Sequence, residues 1–150
     1  MSVLHFEDFE TGQVYPFGPH AMSRPEIIAF AAEFDPQPFH MDEAAGAESL
    51  LGGLGASGWH TAAVMMRMIH SAFLHRTASM GGPGIDSLKW LRPVRPGDVL
   101  SGRSIVIEAR PSASRPDRGF VRFRNEVVNG RGELVLVVEN PIIIERRTAG

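Results

Sequence analysis

Apolar residues recur at helical spacing in the first half of the chain and at strand spacing in the second. The string SRPEIIAFAAEF carries Ile27, Phe30, Ala31 and Phe34 on one face of an expected helix. Ser23 caps that helix, Pro25 suits its first turn, and Glu26 stands three residues after the cap, as a capping box requires. Asp35-Pro36 ends it, because the residue before a proline is pushed out of the helical region. DPQPFH then reads as a stiff, extended loop, MDEAAGAES as a short helix and LLGGLGAS as loop. From Gly58 to about Ala78 the pattern is helical over roughly 30 Å. Trp59, Ala62, Ala63, Met66, Ile69 and Phe73 form its apolar stripe, with Val64, Met65, Met68 and Ala72 adding further apolar positions. A helix apolar over so much of its circumference is expected at the centre of the fold.

From Gly81 onward the period shortens. GIDSLKWL, LSGRSIVIEAR, GFVRFRNEVV and ELVLVVENPIIIE read as strands separated by Pro, Gly and Asp turns, with Asn129-Gly130 as a tight-turn signal. Val121, Phe123 and Val127 alternate with Arg122, Arg124 and Glu126, which gives one buried and one wet face. The last strand is almost continuously apolar and suits an interior position. QVYPFGPHAM supplies one more strand before the first helix. The fold class is therefore α+β, an antiparallel sheet wrapped around one long helix. No repeat or linker interrupts the 150 residues, so residues 1–150 are expected to form one domain.

Composition narrows the chemistry. Fifteen basic against seventeen acidic residues leave a net charge of -2, which makes no case for nucleic acid. Lys89 is the only lysine among those basic residues. The absence of cysteine removes disulfides, thiolate metal sites and cysteine nucleophiles. MSVLHFEDFETGQ lacks a basic-then-apolar leader pattern, and no apolar run approaches the roughly 20 residues of a membrane span. A cytoplasmic protein with no membrane partner is expected.

Gly53-x-Gly55-x-x-Gly58 has the spacing of a dinucleotide fingerprint. That fingerprint needs a strand before it and a parallel strand after its helix, whereas here a loop precedes and antiparallel hairpins follow. The glycines instead suit a helix start at which a substrate approaches unpaired backbone N–H groups. Residues Gly55 to Gly58 are then candidate donors to a developing oxyanion. Asp35 and His40 stand at the ends of the proline-stiffened DPQPFH loop. A carboxylate and an imidazole sharing one water form an acid/base pair.

AEFDPQPFHMDEAAG resembles the hydratase-2 motif of the MaoC-like dehydratases, D-x-N-P-x-H followed by an acidic, alanine-rich stretch. GASGWHTAAVMMR resembles the start of that family's central helix, GIDSLKWLRPVRPGDVL the strand and turn after it, and RPSASRPDRGFVRFRNEVVNGRGELV its hairpin tail. The resemblance spans roughly residues 8 to 146. It implies a hot-dog fold, homodimers or higher homo-oligomers, and (R)-specific hydration of trans-2-enoyl-CoA thioesters or the reverse dehydration, with no cofactor. By the same resemblance Asp35 and His40 activate a water, and the Gly58 N–H holds the thioester carbonyl. Gln37, Pro38, Gly55, Ser57 and Trp59 are the implied substrate-binding residues. One departure stands out: Gln37 occupies the position of the motif's asparagine, carrying its amide one methylene further out.

Other features carry less chemistry. His40-x-Asp42 is the nearest ligand-like pair, but His70 and His75 are five apart and share no helix face, so no metal site is expected. His60 and His70 read as polar-face or subunit-contact positions. Arg110, Arg115 and Arg118, or Lys89, Arg92 and Arg95, are candidates for coenzyme A phosphates, with a solvated charged face as the alternative. An acyl-CoA thioesterase or a non-catalytic acyl-CoA binder on the same fold stays open, since function lives in the site and not in the fold.

Overall fold

In the computed structural model, which describes residues 2–148, Ser23 opens α1 (Arg24–Phe34) with both halves of the capping box in place. The Glu26 N–H donates to Ser23 Oγ at 3.2 Å, and the Ser23 N–H donates to Glu26 Oε1 at 2.8 Å. Ile27 and Ala31 are buried, but Phe34 lies out in solvent, so the apolar face of α1 is shorter than its spacing suggests. α2 (Glu43–Ala47) is the short helix expected, capped by Asp42.

Five strands follow one antiparallel ladder in the order β1-β3-β4-β5-β2. They are β1 (Val14–Ala21), β2 (Ser87–Trp90), β3 (Val99–Pro111), β4 (Arg118–Val128) and β5 (Leu134–Glu145). The alternation expected in β4 is present, with Val121, Phe123 and Val127 buried. Its wet face carries cross-strand ion pairs, Arg103–Glu126 at 2.8 Å and Arg124–Glu139 at 3.1 Å. β5 sits inside the sheet between β4 and β2, in keeping with its apolar sequence. The β4–β5 connection differs from the tight Asn129-Gly130 turn. It spans residues 129–133, the Asn129 carboxamide oxygen accepts from the Arg131 and Glu133 N–H groups, and Gly132 takes the left-handed conformation with φ 74°. The asparagine side chain closes this loop, which lets it be longer than two residues.

α3 (Gly58–Ala72) lies against the concave face of the sheet, giving the hot-dog arrangement. It departs from expectation in length and in rotation. It stops at Ala72 rather than Ala78, because Phe73 leaves the helical region with φ -151° and buries its ring. That ring stacks on Tyr15 at 4.5 Å and meets Phe123 at 5.6 Å, and the Thr77 hydroxyl donates to the Phe73 carbonyl to close the end. Residues Leu74–Arg76 then form a 3-10 turn. The buried row is His60, Thr61, Val64, Met65, Met68 and Ile69, while Trp59 and Met66, placed in the apolar stripe by their spacing, are 60% and 42% exposed. Two polar residues thus enter the buried face and two large apolar ones leave it.

Truncating Phe73 removes a fully buried ring from the cluster that stops α3. Phe73→Ala is expected to lower unfolding free energy by about 3–5 kcal/mol in a denaturant melt, and a loss under about 1 kcal/mol would contradict the packing described.

Candidate active site

Two helix boundaries meet at one point. The end of α1 delivers Asp35, and the loop before α3 delivers Ser57 to the same place. Ser57 is fully buried, and its hydroxyl donates to Asp35 Oδ2 at 2.7 Å. Gln37 Nε2 donates to Asp35 Oδ1, also at 2.7 Å. The DPQPFH loop is therefore not extended throughout: Gln37 is extended, but Pro38–His40 wind into a 3-10 turn. That turn folds His40 back so that its Nε2 lies 3.3 Å from Asp35 Oδ2, with only 8% of the side chain exposed. His40 Nδ1 stands 2.7 Å from the Gly55 carbonyl oxygen. A carbonyl only accepts, so Nδ1 carries a proton, and Nε2 is the ring nitrogen that faces the carboxylate.

The Ser57 hydrogen bond is the main reason the Asp35 carboxyl is held below its usual 3.8; burial opposes it, and the Gln37 amide and the His40 imidazole add to the lowering. A carboxylate so held is ionised and weakly basic.

Asp35, Gln37, His40, Gly58 and Trp59 line one cavity of about 390 Å³. Three expected residues stand elsewhere. Ser57 lies behind the wall and holds Asp35, Gly55 contributes the carbonyl that orients His40, and Pro38 starts the 3-10 turn. The donor set at the helix start is also narrower than the Gly55–Gly58 span. The Gly55 N–H donates to the Phe39 carbonyl and the Ala56 N–H to the Val94 carbonyl at 2.8 Å. Both are consumed by folding, and the His60 and Thr61 N–H groups donate to the Ser57 carbonyl, which leaves those of Gly58 and Trp59 as the open donors of α3.

Composition and spacing gave no sign of Trp90. Its indole Nε1 donates to the Gly58 carbonyl at 2.9 Å, and its ring lies flat against the Gly58 Cα. A Cβ on residue 58 would come within 2.6 Å of that nitrogen. Glycine is thus required here by the tryptophan as well as by any incoming substrate. Trp59 meets Trp90 edge-to-face at 5.1 Å. Thr61, Leu51 and Val94 complete the inner wall.

The remaining candidates take structural parts. His60 is neither surface nor contact residue: it is buried, stacked on Phe30 at 4.7 Å, with Nε2 3.5 Å from Glu26. Burial holds its imidazole below the usual 6.5, opposed by the Glu26 carboxylate. The Arg95 guanidinium donates to the Leu51 and Leu54 carbonyls and so ties down the glycine loop. Arg118 pairs with Asp117, and Arg110 pairs with Glu108 and covers the Phe120 ring. Arg92 lines the cavity while pairing with Glu133 at 3.3 Å. Among the described residues no three His, Cys, Asp or Glu side chains gather as metal ligands.

Fold and site together define a hot-dog protein with an Asp/His loop facing the start of its central helix, and the comparisons with known proteins agree. Residues 8–129 match the family described as a MaoC like domain, and the chain belongs to the MaoC-like dehydratase family. A MaoC-like dehydratase from Rhodospirillum rubrum is 43% identical, with 96% of this chain and 98% of that one superposed at a TM-score of 0.90. The (R)-hydratase PhaJ1 from Pseudomonas aeruginosa is 25% identical over 97% of this chain and 88% of its own, at a TM-score of 0.78. The Bacillus subtilis protein YdeM is 26% identical over 143 residues, covering 95% of this chain and all of its own.

Gly58→Ala forces the Trp90 indole off the helix start. The variant is expected to lose about 1–3 kcal/mol of stability and to shift indole emission toward the red, and wild-type stability with unchanged emission would show that Trp90 does not pack as described.

Proposed function

We propose that the protein catalyses the (R)-specific hydration of trans-2-enoyl-CoA thioesters to 3-hydroxyacyl-CoA, or the reverse dehydration. The observation that carries this reading is the pairing of Asp35 Oδ2 and His40 Nε2 at 3.3 Å in the cavity that Gly58 also lines. A water held between carboxylate and imidazole gives up a proton to His40 Nε2 as its oxygen adds to C3. The electron pair of the double bond moves toward the thioester carbonyl, whose growing negative charge is met by the Gly58 N–H and the positive end of α3. The proton then passes to C2, and the product carries the elements of water across the former double bond. No electron is gained or lost overall. Family membership and the (R)-hydratase neighbour support this chemistry.

Gln37 takes a definite part in this scheme. Its longer side chain reaches the Asp35 carboxylate directly and occupies Oδ1, while Oδ2 accepts from Ser57 and faces His40, where the water would be met. Arg92, half-exposed at the rim, is the candidate contact for the carrier's pantetheine or phosphate end. We expect a homo-oligomer, because β2 is a four-residue edge strand and Ile85, Trp90 and Leu91 beside it are exposed. No helix among the described residues is long and apolar enough to cross a membrane, which is compatible with the cytoplasmic setting expected.

The test is the loss of enoyl-thioester ultraviolet absorbance on adding pure protein. Asp35→Asn and His40→Ala, each verified as folded, are expected to lower turnover by roughly 10²–10⁴-fold. Cleavage of the thioester instead of hydration, or turnover that survives both substitutions, would overturn the reading.

A further inference from the structure

The concave face of the sheet is apolar except along one line. Ser104 on β3 stands opposite Asn125 on β4, and Asn140 on β5 lies diagonally across from Asn125, two residues beyond its register partner Val138. Ser104 Oγ donates to Asn125 Oδ1 at 2.6 Å, and Asn125 Nδ2 donates to Asn140 Oδ1 at 2.9 Å. Ser104 and Asn125 are 0% and 4% exposed, a costly placement for polar groups that is offset only while each is bonded. The line of donors ends at half-buried Asn140, which accepts from Asn125 and whose own Nδ2 has no protein acceptor among the described residues and stays open to solvent. Asn140 lines a groove of about 330 Å³ whose other walls include Met65, Met66, Ile85 and Val138.

Local chain geometry opens the groove at this residue. The segment before β2 runs along β5, with Met80 N–H donating to the Ile143 carbonyl and Asp86 N–H to the Glu139 carbonyl. Between those two bonds the chain leaves the sheet over residues 82–85, opposite Asn140 and Pro141, and Pro141 has no N–H to hold it. The groove and the candidate active-site cavity share no lining residue, but both open along α3. Thr61 walls the catalytic cavity and Met65 walls the groove, one turn apart on the buried row of α3. From Gly58 to Met65 the helix rises roughly 11 Å, which is the reach of a medium-length acyl chain.

We propose that this groove takes the far end of the acyl chain and that Asn140 selects chains bearing a hydroxyl or carbonyl oxygen there. The inference rests on the enoyl-thioester reading above. A plain alkyl chain in the groove covers the Asn140 amide and leaves it unpaired, whereas an oxygen accepts its proton and completes the line from Ser104. Ser104 and Asn125 act as positioning residues that fix the amide.

The experiment compares medium-chain trans-2-enoyl-CoAs that carry a hydroxyl at successive carbons beyond the double bond with the unsubstituted chain. At one position the wild type is expected to prefer the hydroxylated substrate in kcat/KM by roughly tenfold. Asn140→Leu, similar in size, is expected to erase that preference while keeping turnover of a short enoyl-CoA. Asn140→Thr, which suits a strand but reaches less far, serves if the leucine variant does not fold. Equal kcat/KM at every position, or a preference that survives both substitutions, overturns the proposal while short-chain turnover leaves the hydratase reading standing. If no enoyl-CoA is turned over, that reading falls, and binding of the saturated hydroxyacyl-CoA series by calorimetry decides the groove. Tighter binding at one position that is lost in the variant supports it, and flat affinity overturns it.

Discussion

The hydrogen bond from buried Ser57 to Asp35 joins the end of α1 to the start of α3, two points 22 residues apart in the chain. Everything chemical in the molecule is arranged around that junction. It keeps the carboxylate ionised, sets it against His40, and places both beside the open N–H groups of α3. Its setting is supplied by folding elements outside the cavity lining. The Ser23–Glu26 capping box fixes where α1 begins, Pro36 fixes where it ends, and Arg95 ties the glycine loop that carries Ser57. Glycine at 55 and 58 serves close packing here, since Gly55 offers its carbonyl to His40 and Gly58 makes room for Trp90.

The same logic explains why α3 carries polar residues on its buried side. His60 and Thr61 occupy the turn nearest the junction, where α1 and the site loop cover the helix, and the aliphatic and methionine residues begin one turn later, over the sheet. The helix is amphipathic in two senses, across its circumference and along its length. In the proposed function, the second gradient matches a thioester substrate that is polar at its reacting end and apolar at its tail.

Much of this was legible in the sequence. The capping box, the alternation in β4 and four of the five strands rest on local rules and appear with bounds close to those expected; β2 is shorter, Ser87–Trp90, and the DPQPFH loop winds into a 3-10 turn that brings Asp35 and His40 together. The departures have tertiary causes. Periodicity read α3 through to Ala78 because Phe73 is apolar and in phase, but its ring is worth more in the aromatic cluster with Tyr15 and Phe123 than in another helical turn. Trp59 and Met66 fit the helix pattern and nevertheless face outward, because the neighbours that decide rotation are strands far away in sequence. Ser57 was expected against substrate and Gly55 as a donor; instead Ser57 bonds Asp35 and the Gly55 carbonyl accepts from His40. Nothing local to Trp90 signals its packing on Gly58, since that contact joins residues 32 apart.

The most direct test of the junction is the titration of the Asp35 carboxyl carbon by nuclear magnetic resonance, in the wild type and in Ser57→Ala. A carboxylate whose pKa is lower folded than unfolded contributes stability that is present above its ordinary value of 3.8 and lost as pH falls through the folded value. Asp35 is therefore expected to titrate below 3.8, to move upward when Ser57 is removed, and to take part of the acid-side stability with it. Titration at or above 3.8 in the wild type, or no movement in Ser57→Ala, would contradict the account and leave the pairing of Asp35 with His40 without its physical basis.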